Sequence, residues 1–127
     1  MNLNLHTIKH SQQRYPTVGD WIVDNSNVPA FTILVSDMRN RDYEFLVMLH
    51  EMVEVYLCWK RGIKQEDVDA FDKNYEAKRP EGDFSEPGDS KRAPYYREHQ
   101  FATKLERLMA REMGIAWDTY NNTVEQL

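Results

Sequence analysis

Apolar residues change their spacing along this chain, and each change predicts a different element. In the first forty residues they fall in short runs separated by turn residues. Leu3, Leu5 and Ile8 suggest a short edge strand, Trp21-Ile22-Val23 is a second run, and Ala30-Phe31-Thr32-Ile33-Leu34-Val35 is the strongest strand signal. Pro16-Thr17-Val18-Gly19-Asp20 and Asp24-Asn25-Ser26-Asn27 read as a turn and a loop between them. From Asn40 the period becomes helical and persists to Arg61, where Gly62 and Ile63 supply a C-terminal stop and Lys60 and Arg61 suit the negative end of the dipole. A second helix over residues 65–78 has Glu66 and Asp67 in its first turn and a stripe of Val68, Phe71 and Tyr75. A third begins with Pro94 at its first position, carries Phe101, Leu105, Leu108 and Met109 as its apolar stripe, and ends near Met113 before a second Gly-Ile pair, Gly114-Ile115. Residues 80–90, with two prolines, two glycines and four acids, read as a mobile surface loop, and the tail from Trp117 has no decisive pattern. The expected fold is α+β in a single domain over residues 1–127: a small N-terminal sheet from residues 1–36 packed on three helices at 40–62, 65–78 and 94–113.

The helical run from Phe45 to Trp59 reads FLVMLHEMVEVYLCW and is apolar except at His50, Glu51 and Glu54. A helix that is apolar all round is expected in the core. Buried carboxylates are costly unless paired, protonated or bound to a cation. Positions i and i+4 lie about 40° apart around the helix and about 6 Å along it, so His50 and Glu54 project together and could hold one ion. Glu51 sits about 100° round, where a general base can reach a water on that ion. The bland alternative is that both glutamates pair with arginines and His50 bonds a backbone carbonyl.

Catalytic zinc has three protein ligands and an open position, so a third ligand is required. In the third helix His99 borders the apolar stripe, on the side of Ala102, Glu106 and Met113, and the small Ala102 allows close helix approach. His99 is the expected third ligand, with Glu106 or Asp72 bracing the ligands from behind. Cys58 reads as buried and inert, and His6 and His10 as surface residues that do not converge. Trp21, Trp59 and Trp117 read as core or interface anchors.

Charge and cysteine content narrow the classes. The chain has 127 residues and a net charge of −5, with its basic residues scattered, so direct nucleic-acid binding is not expected. A single cysteine excludes an internal disulfide and a multi-cysteine zinc site. Neither a signal-peptide core at MNLNLHTIKH nor a membrane-length apolar run is present, which leads to the expectation of a cytoplasmic protein without membrane contact. Homo-oligomerisation is compatible with this composition.

The combination of a strand, then His50-Glu51-x-x-Glu54 on a helix, then His99 on a later helix resembles the zincin metallopeptidases, in which a His-Glu-x-x-His helix follows a strand and a later helix gives the third ligand. The layout is also similar to small uncharacterised phage and prophage proteins. The resemblance implies zinc on His50, Glu54 and His99, Glu51 as catalytic base, and a hydrolytic, peptidase-like reaction on an unknown substrate. Glu54 stands where zincins have histidine. Glu51-x-x-Glu54 with Asp69-x-x-Asp72 alternatively resembles the magnesium-binding motifs of all-helical nucleoside triphosphate pyrophosphohydrolases. A third reading is a non-catalytic interaction protein whose core is stapled by the metal.

Overall fold

The computed structural model describes all 127 residues. Its fold is α+β. Three strands, β1 (Asn2–Ile8), β2 (Gly19–Asp24) and β3 (Ala30–Ser36), are followed by four helices, α1 (Arg41–Lys60), α2 (Gln65–Ala77), α3 (Tyr96–Glu112) and α4 (Trp117–Glu125). The sheet order is β1-β3-β2. β2 and β3 form an antiparallel pair with Trp21 opposite Ile33, and β1 runs parallel to β3 with Leu5 opposite Ile33. The central strand is thus the most apolar one, and Phe31, Ile33 and Val35 are almost completely buried on the face that α1 covers.

Local chemistry fixes the helix that carries the polar cluster. Asn40 caps α1 by accepting from the backbone N–H groups of Asp42 and Tyr43, both at 3.1 Å. At the other end Gly62 has φ +73°, Gly62 N–H donates to Trp59 O and Ile63 N–H to Cys58 O, which is a Schellman stop. α3 ends the same way at Gly114 (φ +72°), with Ile115 N–H donating to Ala110 O at 2.8 Å. The register of both helices is therefore set from their ends, and with it the direction of His50, Glu54 and His99.

α1 packs on β2 and β3 with one side and on α3 with another. Its inward residues Leu46, Val47, Val55 and Cys58 join Trp21, Phe31, Ile33 and Val35 in the core. No helix is long and apolar enough to cross a membrane.

The structure departs from the sequence reading in five places. α1 is not enclosed all round: Phe45 and Tyr56 are 45% and 40% exposed, because the sheet and α3 leave one flank uncovered. The apolar stripe of α3 packs inward only in part: Phe101 and Leu108 are exposed, Leu105 is half-buried and Met109 packs against the core, while the fully buried face is Glu98, His99, Ala102, Glu106 and Ala110. The reason is that the buried ionisable groups find their partners on α1, on the turn at 86–89 and on α4, and Ala102 and Ala110 let the helices close up. The tail forms a fourth helix whose Tyr120 is 1% exposed. Pro94 precedes α3 in a turn rather than opening it, and residues 87–89 form a short 3-10 turn whose Gly88 is buried.

Candidate metal centre

Three side chains from two helices meet at one point. His50 Nε2, Glu54 Oε2 and His99 Nδ1 lie 2.9–3.1 Å from one another. All three residues are buried. Donors of a tetrahedral zinc site with bonds of about 2.0–2.1 Å stand about 3.3 Å apart, so this triangle needs only a slight opening to take the ion.

Each of the three also has an outer partner that fixes its orientation. His50 Nδ1 lies 2.8 Å from Glu106 Oε1, and the other oxygen of Glu106 accepts from the Tyr120 hydroxyl of α4. Glu54 Oε1 accepts from Trp21 Nε1 of β2 at 2.9 Å. His99 Nε2 has Glu86 Oε2 at 3.0 Å and Asp89 Oδ1 at 3.3 Å, neither aligned well enough for a full hydrogen bond. Each imidazole thus turns one nitrogen outward to a carboxylate and the other inward to Glu54 Oε2. As imidazolium groups both rings can donate to Glu54 Oε2; as neutral rings with their protons outside they would offer, with Glu54, three lone pairs to one divalent cation.

Electrostatics agree with this arrangement. Burial works to lower the His50 pKa but is outweighed by the bonds to Glu106 and Glu54, so the net shift is well upward. His99 behaves alike, with burial outweighed by Asp89, Glu54 and Glu86. Burial pushes Glu54 up and its two histidine partners pull it further down, below the usual carboxylate range. The cluster thus stabilises positive charge at its centre, whether as protons or as a metal ion.

Glu51 lies beside this triangle and lines the same cavity, of about 470 Å³. Burial and the neighbouring Glu54 raise its pKa well above the ordinary value, and no hydrogen bond offsets them. Gly19 is the residue that makes room for it: a Cβ there would stand 2.6 Å from Glu51 Oε1. Gly88 does the same for His99, since a Cβ at 88 would stand 2.4 Å from the imidazole Cγ.

Of the expected supporting residues, Glu106 bonds directly to His50. Asp72 instead accepts from Tyr95 at 2.6 Å and Tyr15 at 2.9 Å, deeper along the cavity wall. Burial raises its pKa to about 7 against the lowering effect of those two hydroxyls. Asp69 is held by Arg14 at 3.0 Å, and Arg14 also grips Asp20 at 2.7 Å. Glu51, Glu54, Asp69 and Asp72 therefore do not gather into a four-carboxylate cage; the two groups of potential ligands are His50-Glu54-His99 and Glu86-Asp89-His99. Cys58 is fully buried and burial raises its thiol pKa. His6 is exposed, whereas His10 bonds Ser36 Oγ at 2.9 Å, and the two do not converge.

No known protein family, curated protein or solved structure matches this chain. The reading of the site therefore rests on its geometry. That geometry includes residues the sequence did not single out for the site, namely Trp21, Tyr120, Glu86, Asp89, Tyr15, Tyr95, Gly19 and Gly88. The glycines sit in turn-like sequence and Tyr120 in an unpatterned tail, so only their three-dimensional neighbours reveal them.

Proposed function

We propose that this chain is a zinc-dependent hydrolase of the zincin-like type, with the ion on His50, Glu54 and His99. The carrying observation is the convergence of two imidazole nitrogens and one carboxylate oxygen from two helices, each 2.9–3.1 Å from the others. Two imidazoles and one carboxylate form a donor set suited to zinc and poorly suited to magnesium. Bound zinc would supply Lewis acidity, lowering the pKa of a water in its open position.

The chain's own residues perform the remaining work. Glu106 and Tyr120 hold the His50 ring, and Trp21 turns Glu54 so that one oxygen faces inward. Glu51 would take the proton of the attacking water and return it to the leaving group, since it faces the same cavity as the triangle and no hydrogen bond ties its carboxyl elsewhere. The cavity beside Glu51 supports this reading over a metal staple, because a purely structural zinc site is closed by a fourth protein ligand.

The deciding test is the metal content of protein purified without a histidine tag. About one zinc per chain is expected, with loss on His50→Ala or His99→Ala. Protein that takes up no metal when zinc is supplied overturns the proposal.

A further inference from the structure

The turn before α3 sets two further donors against the outer side of His99. Residues 87–89 form a 3-10 turn, and at about three residues per turn positions 86 and 89 fall on the same side. Glu86 Oε2 and Asp89 Oδ1 thereby stand 3.0 Å and 3.3 Å from His99 Nε2. Gln100 Nε2 donates to the same Asp89 oxygen at 3.0 Å and holds it there. Neither carboxylate is paired with an arginine or lysine, and their side chains are 46% and 51% exposed.

His99 Nε2 lacks what buried nitrogens normally have. It belongs to a residue only 5% exposed, yet it has no hydrogen-bond partner. The Glu86 oxygen is near enough to accept, so it must lie to the side of the direction in which the ring nitrogen points. An N–H group uses such an acceptor poorly. A metal ion places its other ligands there: neighbouring donors of an octahedral ion with bonds of about 2.1 Å are about 3.0 Å apart and lie about 45° off the metal–nitrogen axis. A buried nitrogen flanked by two off-axis carboxylates is arranged for a cation rather than for a hydrogen bond. Both carboxylates also line a cavity of about 700 Å³ beside α3 and α4, which gives room for water ligands.

We propose that Glu86, Asp89 and His99 Nε2 form a second site for a divalent cation, filled in alternation with the inner centre. One imidazole, two carboxylates and water suit an octahedral, oxygen-preferring ion such as manganese better than tetrahedral zinc. Alternation follows from His99, because a neutral imidazole carries one proton and one lone pair. With the proton on Nδ1, donated to Glu54 Oε2 at 2.9 Å, the lone pair of Nε2 faces the outer carboxylates. With the proton on Nε2, Nδ1 serves the inner ion. The outer site rests on the 86–89 turn and His99 alone; only the alternation rests on the inner-metal reading.

The test titrates manganese into metal-free, full-length protein and follows it by electron paramagnetic resonance. About one manganese per chain is expected, and pulsed spectra should show one imidazole nitrogen on the ion, against two for an ion at the inner centre. Glu86→Gln with Asp89→Asn should weaken manganese binding at least about a hundredfold while zinc uptake persists. Glu66→Gln with Asp67→Asn, exposed on α2, should change neither. One equivalent of zinc should release the manganese from the unsubstituted protein.

No manganese binding, two imidazole nitrogens on the ion, or an affinity unchanged by the 86/89 substitutions overturns the outer site. So does parallel loss of zinc and manganese in that variant, which would mean that Glu86 and Asp89 only brace His99 for one centre. Manganese that keeps its single nitrogen after zinc has been taken up overturns the alternation. Manganese bound through one nitrogen without any zinc uptake refutes the hydrolase reading and upholds the outer site. Zinc uptake without manganese binding does the reverse.

Discussion

The two long faces of the α1–α3 pair are opposites of what their residues would prefer. The face between the helices holds His50, Glu54, His99 and Glu106, all buried. The flank turned to solvent holds Phe45, Tyr56, Phe101 and Leu108, all at least 40% exposed. Burial of apolar area alone, at about 25 cal/mol per Å², would drive the helices to rotate the other way. The inner face wins because its buried charged groups bond one another across the helices and to β2, and a rotation would break those bonds together. Breaking one partner of a buried charge network costs about 3–5 kcal/mol, more than a single exposed leucine regains. An inverted helix face is thus the mark of a polar site that dominates local packing.

The largest way to disturb this contrast is to remove a ligand. His50→Ala or His99→Ala should abolish zinc uptake and erase the gap in thermal stability between zinc-loaded and metal-free protein, a gap worth about 4 kcal/mol at a thousandfold excess over Kd. Calorimetric melting with and without chelator measures it, and a gap that survives either substitution would remove that histidine from the ligand set.

Next in size is the division of labour between neighbouring glutamates. Glu51→Gln should lower hydrolysis by about 10²–10⁴-fold with metal retained, whereas Glu54→Gln should lose metal first. Metal analysis beside rate measurement decides between them. Equal metal loss in both would make Glu51 a ligand.

Proton linkage sharpens the same face. In the metal-free protein the His50 and His99 pKa values are raised, so folding binds protons and the cluster's stabilisation is present below about pH 6.5 and lost as pH rises through the raised folded values. Zinc must displace those protons, so its affinity should climb steadily between about pH 5 and 8 with net proton release, read from calorimetry in buffers of different ionisation enthalpy. A pH-independent affinity would show the histidines are not displaced acids. For Asp72 the sign is also that of a raised pKa, here a carboxyl moved from 3.8 to about 7. Its neutral form is favoured on folding, so stability falls between these two values as pH rises, and Asp72→Asn should flatten that part of the stability–pH curve.

The smallest effects belong to the outer face. Leu108→Lys or Phe101→Gln should cost less than about 1 kcal/mol, because about half of each side chain is already in water. Ala102→Leu, on the fully buried side of the same helix, should cost about 1–3 kcal/mol by overpacking. Comparable losses at 102 and 108 would mean that the outer flank is covered in solution.

Much of this was readable in the sequence because it depends on short-range geometry. The Gly62-Ile63 and Gly114-Ile115 stops fixed helix ends, and the i, i+4 spacing put His50 and Glu54 on one side. The facing of α3 was readable only in part: the small Ala102 marked the side of His99 and Glu106, but hydrophobic periodicity assigns Phe101 and Leu108 to the core as well and cannot weigh partners supplied by another helix. Trp21 and Tyr120 are set by topology: one reaches Glu54 across 33 residues, the other bonds Glu106 from a segment without clear periodicity. Residues 86–89 look like any Pro-Gly loop until their carboxylates and Gly88 are seen against His99.

That last contact has a kinetic meaning. Gly88 lies so close on the His99 ring that the imidazole cannot swing away while residues 87–89 stay in place. If an ion is held on His99, its escape would be gated, because the turn would have to lift before the imidazole could let go. Its residence time would then follow the opening rate of a short loop rather than bond strength alone, and a chain that acquired its metal once would hold it through brief scarcity.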